Sequence, residues 1–239
     1  MKVDIFDSGK GGKEILKAVR TNMPSYSYVY YADTAHVPYG DKSEDEIYEL
    51  TKGGVRYLFD EGCSLVILAC NTASAETARK IQTVFLPMRY PDRKVLGVII
   101  PTVEVLHELA PDHALLLATK RTVESLKYET ELQKFNPNTQ LAARAMSELV
   151  PLIEAGALKE AAQVVEEALE EWQREGGVVV FGCTHYSSLK PFIQESYFLK
   201  YRLLFQTDII PKKLQTYLQR HPEIETELER GGGVKEHFT

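Results

Sequence analysis

Two apolar runs, each ending in a cysteine, constrain this chain more than any other feature. LVILACNTAS (65–74) aligns without a gap to VVVFGCTHYS (178–187), which places Cys70 over Cys183. Near the start of each half, IFDSGKGG (5–12) lies over LLATKRTV (116–123), so Ser8 falls on Thr119 at almost the same offset. Two independent anchors with nearly one offset read as a diverged internal duplication. The chain length of 239 residues allows one large domain or two modest ones, and the duplication favours two.

Local patterns specify what each half is. Residues 3–6 read as a buried strand running into the glycine-rich turn Asp7-Ser8-Gly9-Lys10-Gly11-Gly12, with a helical pattern over 13–20. A second strand is expected over 28–32. Residues 43–59 read as a helix, with Ser43 and Glu46 in capping-box spacing, closing at Gly62 before the apolar run 65–69. In the second half, 114–118 is strand-like and 122–135 helical. Residues 158–174 place Ala161, Val165, Ala168 and Trp172 on one helix face before the buried run 178–182. This alternation predicts an α/β fold of two pseudo-symmetric lobes. Each has a mainly parallel sheet flanked by helices, and the active site lies in the cleft between them. The boundary is expected near 97–101, so that 98–205 forms the second lobe and 206–239 returns to join 1–97 in the first. The charged, glycine-containing stretch 223–235 gives little sign of core.

Composition narrows the function classes. With 28 Lys+Arg against 34 Asp+Glu, the chain lacks the basic footprint that nucleic-acid binding requires. No apolar run approaches the ~20 residues of a membrane helix, and MKVDIFDSGKGG is too polar to begin a secretory signal. Three cysteines, Cys63, Cys70 and Cys183, are too few for a disulfide scaffold and odd in number, which favours a reducing, cytoplasmic setting.

Ligands of parallel α/β sheets bind beyond the carboxyl ends of the strands. Four polar clusters fall there: Asp7-Ser8, Pro38-Tyr39-Gly40, Cys70-Asn71-Thr72 and Cys183-Thr184-His185. The reactive form of cysteine is the thiolate, and Asn71, Thr72, Thr184 and a nearby histidine are expected to stabilise it. Two sulfurs, one from each lobe, suit stereoinversion at carbon: one removes a proton from one face and the other delivers a proton to the opposite face. A single cysteine at a strand end is ordinarily core, and Cys63, without polar company or counterpart, is read so. For Cys70 and Cys183 the paired positions and polar followers outweigh that reading. Cys70, Cys183 and His185 could in number make three metal ligands, but no CxxC or HxxxH spacing is present. Glu14 stands where a dinucleotide fingerprint needs glycine and where a P-loop needs Ser or Thr. Asp7 can cap a helix, His185 can be structural, Pro38 and Tyr39 can shape a turn, and Glu154 can be a solvated helix residue.

Taken together, FDSGKGG (6–12), ADTAHVPYGDKS (32–43), ACNTASA (69–75), GVIIP (97–101), ATKRTVESLKY (118–128), LVPLIEAG (149–156) and FGCTHYSSL (181–189) resemble the cofactor-independent aspartate/glutamate racemase superfamily. They occur in its order and spacing over most of residues 1–210, and VPYGDKS points to its glutamate branch. The resemblance implies Cys70 and Cys183 as the catalytic base and acid on opposite faces of the substrate. It implies Asp7 and His185 as auxiliary groups beside the thiols and Glu154 as a further assisting carboxylate. Ser8, Pro38, Tyr39, Gly40, Asn71, Thr72, Thr119 and Thr184 match positions that hold the amino acid. It further implies D/L-glutamate as substrate, D-glutamate supply to peptidoglycan, no pyridoxal phosphate, no metal and a homodimer. Ala32, His36 and Ser187 depart from the usual glycine, arginine and proline, and Ser187 is expected to alter the loop bearing His185. GGGVKEHFT resembles the strand that normally precedes a last helix, so loss of that helix is expected to expose apolar surface. The alternatives are a relative acting on aspartate or another small amino acid, and an amino-acid-binding protein that kept the fold without turnover.

Overall fold

The computed structural model describes residues 2–239. In its first part, strands β1 (Val3–Asp7), β2 (Tyr28–Ala32), β3 (Leu65–Leu68) and β4 (Lys94–Gly97) alternate with helices. These are α1 (Gly12–Asn22), α2 (Glu44–Asp60), α3 (Asn71–Lys80) and α4 (Leu86–Arg89). Helices α5 (Ile99–Leu109), α6 (Lys120–Glu124), α7 (Lys127–Phe135), α8 (Leu149–Glu154), α9 (Leu158–Trp172) and α10 (Glu195–Lys200) follow. Between them run β5 (His113–Ala118), β6 (Gln140–Ala145), β7 (Val178–Gly182) and β8 (Arg202–Phe205). The chain closes with α11 (Gln206–Arg220), α12 (Pro222–Glu225) and β9 (Val234–Phe238).

Two sheets result, with strand orders β4-β3-β1-β2-β9 and β6-β5-β7-β8, and every pairing within them is parallel. Period-2 alternation divides each strand between two cores. Val3 and Ile5 of β1 face a central core shared with Leu116 and Val180 of the second sheet, while Phe6 faces an outer layer with Leu58 of α2. The second sheet has its own outer layer, where Leu117 and Phe181 meet Val165 and Leu169 of α9. Both catalytic candidates therefore stand at carboxyl ends of central strands, where the backbone is held on both sides.

The capping box at α2 forms as expected: Ser43 accepts from Glu46 N–H, and the Glu46 carboxylate accepts from Ser43 N–H. Residues 122–135, expected as one helix, are broken between α6 and α7. Leu126 takes a left-handed φ of 51° there, and the Ser125 hydroxyl donates to Thr122 C=O and accepts from Lys127 N–H. Such local side-chain bonds compete with helix continuation. The stretch 223–235 also differs from its reading. Ile224 and Leu228, four residues apart, bury one face against the central core, and Val234 packs on it. Among the described residues no helix is long and apolar enough to cross a membrane.

Asp4 is fully buried on the outer face of β1 beside Cys63, accepting one hydrogen bond from Val29 N–H at 3.1 Å. Burial pushes its carboxyl up to about 7, from an unperturbed 3.8. Between those values the unfolded chain releases its proton first, so this group makes the native state lose stability as pH rises toward 7. The Asp4→Asn variant should match the parent near pH 4 and exceed it above pH 7 by roughly 3 °C or more in Tm. Thermal melts across that range check this; a difference independent of pH would refute the buried-charge account.

Candidate active site

The turn after β1 is shaped by one carboxylate. Asp7 is fully buried, and its Oδ2 accepts from Gly9 N–H at 3.3 Å and from Gly12 N–H at 2.9 Å, capping the approach to α1. Two glycines make that turn possible. A Cβ on Gly12 would lie 2.6 Å from the Cβ of Asp7, and one on Gly11 would lie 2.6 Å from both His185 Nδ1 and Thr184 Oγ1. Gly11 thus lets the first turn pass directly beneath the segment after β7. Thr184 donates to the other Asp7 oxygen at 3.5 Å. Burial raises the Asp7 carboxyl to about 6, while the charge of His185 and the Gly12 and Gly9 N–H groups pull it down.

β3 delivers Cys70 to the N-cap of α3, where its Sγ accepts from Ser8 Oγ at 3.0 Å and from Ala73 N–H at 3.4 Å. The cysteine is 6% exposed, and burial pushes its thiol up to about 11, with the Asp7 charge adding to the rise and the Ser8 and Ala73 donors opposing it. β7 delivers Cys183, 7% exposed, with Sγ 3.9 Å from His185 Nδ1. Its thiol is raised further, by burial first and then by the charge that a Cys70 thiolate would carry. Each anion opposes the other, so the geometry favours one thiolate at a time. His185 Nε2 in turn meets Glu154 Oε1 at 3.1 Å, linking α8 to the Cys183 side.

Both thiols line one cavity of about 310 Å³, at the small end of the ~300–1,000 Å³ range for ligand sites. Ser8, Pro38, Tyr39, Gly40, Asn71, Thr72, Thr119, Glu154, Thr184 and His185 line it as well. Asp7 does not; it stands behind the wall, touching Thr184 and the turn. A wider groove of about 510 Å³ along α1 contains neither thiol. Ser187, the departure from proline, is buried beside this groove, and its Oγ takes no hydrogen bond within the protein.

The expected thiolate donors require correction. Asn71 turns its carboxamide toward Gln206 and Tyr128, and Thr72 shares its hydroxyl with Thr119 and Thr122. Ser8 and the α3 backbone meet Cys70 instead. Tyr39 is held from outside the cavity, donating to Asp33 Oδ2 at 2.8 Å. Unanticipated lining residues are Val37, Asp41, Lys120, Ser147, Val150 and Pro151. Val150 and Pro151 precede Glu154 by four and three positions, the spacing of one helix face, which is the signal that would have found them.

Residues 13–209 match the family model for Asp/Glu/Hydantoin racemase. A glutamate racemase of Roseobacter denitrificans is 38% identical over 93% of this chain and 87% of its own length. The crystal structure of glutamate racemase from Francisella tularensis in complex with D-glutamate superposes with TM-score 0.81 at 25% identity, over 99% of this chain and 86% of that one. Glutamate racemase from Aquifex pyrophilus superposes with TM-score 0.77 at 30% identity, over 100% and 89% of the two chains. The chain belongs to the Asp/Glu/Hydantoin racemase family.

Exposure and hydrogen bonding order the three cysteines. Peptide-resolved alkylation by iodoacetamide should modify Cys70 before Cys183 and leave Cys63, which is 0% exposed, untouched. Ser8→Ala should slow Cys70 alkylation about tenfold at fixed pH, because a hydrogen bond to a charged group contributes about 1.5–3 kcal/mol. Equal rates at Cys70 and Cys183 would contradict the asymmetry.

Proposed function

We propose that the protein interconverts L- and D-glutamate by proton transfer between the α-carbon and two thiols. The observation that carries this reading is the pair of buried cysteines at equivalent strand ends of two sheets, sharing one small-molecule cavity. Cys70 is the more readily ionised, through Ser8 and the N-terminus of α3. As thiolate it takes the α-proton and becomes a thiol, leaving the electron pair on carbon. The Cys183 thiol then gives its proton to the opposite face and becomes the thiolate, and the reverse reaction starts from that state. Glu154 and His185 tune the Cys183 side through their contact, and Asp7 steadies Thr184 beneath it.

Desolvation has a clear purpose in this scheme. An α-proton beside an ammonium group is a weak acid, so the transfer is uphill. The thiolate of a thiol near 11 is a stronger base than that of a free thiol at ~8.5, which narrows the gap. Its thiolate is scarce at neutral pH, and the ammonium of the bound substrate supplies the compensating charge. The hydroxyls of Ser8, Thr72, Thr119 and Thr184 border the cavity, and Lys120 adds a cation at its edge. Both features suit a dicarboxylate, in keeping with the glutamate racemases that this chain resembles.

The same reading takes Ser8, Pro38, Tyr39, Gly40, Asn71, Thr72, Thr119 and Thr184 as the substrate-holding set. It takes residues 1–97 with 206–239 as one lobe, since β9 joins the first sheet beside β2, and 98–205 as the other. It also places a homodimer in the cytoplasm, supplying D-glutamate for peptidoglycan.

In D₂O, L-glutamate should gain α-deuterium as it loses optical rotation, with no cofactor added. Cys70→Ser and Cys183→Ser should each lower racemisation by at least ~10²-fold, the scale of general acid–base contributions. A panel of aspartate, alanine and glutamate fixes the substrate. Full activity in either serine variant, or binding of glutamate without exchange, would overturn the two-thiol scheme.

A further inference from the structure

At the cavity wall, four polar side chains close a network of which the scheme above uses only Asn71. Gln206 at the start of α11 is fully buried, as are Thr102 on α5, Tyr128 on α7 and Asn71 at the start of α3, all at 2% exposure or less. The carboxamides of Asn71 and Gln206 pair reciprocally: Asn71 Nδ2 donates to Gln206 Oε1 at 2.7 Å, and Gln206 Nε2 donates to Asn71 Oδ1 at 2.9 Å. Tyr128 adds a second donor to Asn71 Oδ1 at 2.8 Å. Gln206 Nε2 also lies 3.1 Å from Tyr128 Oη and 3.4 Å from Thr102 Oγ1.

The direction of these bonds is set at the far end. Thr102 has one hydroxyl proton and donates it to Val98 C=O at 2.8 Å, so toward Gln206 it can only accept. The Gln206 atom facing Thr102 must therefore be the nitrogen, and its oxygen must face Asn71. That in turn requires Asn71 to present its nitrogen to Gln206 and its oxygen to Tyr128. Of the four residues only Asn71 lines the cavity. An amide nitrogen carries two protons, and one of those on Asn71 is committed to Gln206.

We propose that Gln206 is a positioning residue: it locks the Asn71 carboxamide so that its second N–H, rather than its oxygen, serves the substrate carboxylate. This rests on the racemase reading and adds a residue to it. Without Gln206 the carboxamide can turn over and set its oxygen against the carboxylate, weakening binding while the thiols stay in place. The network joins α3, which bears Cys70 at its N-cap, to α5, α7 and α11, so it also ties substrate binding to the segments that enter and leave the second sheet.

The test is a double-variant cycle on L-glutamate racemisation, using Gln206→Met, which keeps the volume, with Asn71→Ala. Gln206→Met should raise KM about tenfold and change kcat less than about threefold. In the Asn71→Ala background it should raise KM no further, because its effect passes through Asn71. Thr102→Val, an isosteric change away from the cavity, should raise KM severalfold and show the same non-additivity, and it carries the test if Gln206→Met does not fold. Unchanged KM, a loss of kcat at constant KM, or effects that multiply in the double variant would overturn the proposal. If the parent protein itself fails to racemise glutamate, the functional reading falls, and the calorimetric Kd for glutamate replaces KM in the same cycle.

Discussion

Two thiols that share one small cavity are held almost wholly away from solvent. Desolvation makes each sulfur a reluctant acid and, once ionised, a strong base. A charge on Cys70 raises the Cys183 thiol, so the two charges oppose each other. The two-base scheme proposed above uses that opposition, with one thiolate and one thiol at any moment. Backbone N–H groups meet both sulfurs, from Ser8 and Ala73 at Cys70 and from His185 and Tyr186 at Cys183, so it is the Ser8 hydroxyl that breaks the tie in favour of Cys70.

Holding two sulfurs in register demands that two sheets be held in register. The central core, shared by Val3 and Ile5 of one sheet and Leu116 and Val180 of the other, supplies adhesion but little direction. Direction comes from a polar seam. Arg121 on α6 pairs with Glu76 on α3 at 2.9 Å, Thr72 meets Thr119 at 3.0 Å, and Tyr128 donates to Asn71 at 2.8 Å. Gly11 allows the turn after β1 to touch Thr184 and His185, where any side chain would separate them. Buried hydrogen bonds are costly when half-made, so a seam built from them tolerates one arrangement and penalises its neighbours.

Legibility in the sequence followed the strength of the local signal. Strands β1, β2, β3, β5 and β7 are central, almost wholly buried and mostly apolar, and they read directly as strands. β4, β6 and β8 were not anticipated, because they lie at sheet edges and mix polar with apolar residues, as in QLAARA. Ile224 and Leu228 hid within a charged stretch, since two apolar residues on one face make a weak periodic signal. Asp4 gave no signal at all: a lone carboxylate in an apolar run does not reveal that it stays buried.

The candidate site was legible because its signal is a repeated pattern, whereas each of its residues taken singly reads as core, cap or turn. Two cysteines followed by polar residues, repeated at one offset, were visible without coordinates, and so were the alternation of strand and helix and the capping box at Ser43. These are properties of short segments, governed by periodicity and backbone chemistry. Which donor meets which sulfur was decided only by tertiary structure, as was the placement of Asp7 behind the cavity wall and of Gln206 beneath Asn71. Those contacts join residues up to 177 positions apart, as Asp7 and Thr184 show. Their geometry depends on how two sheets pack, which no local pattern encodes.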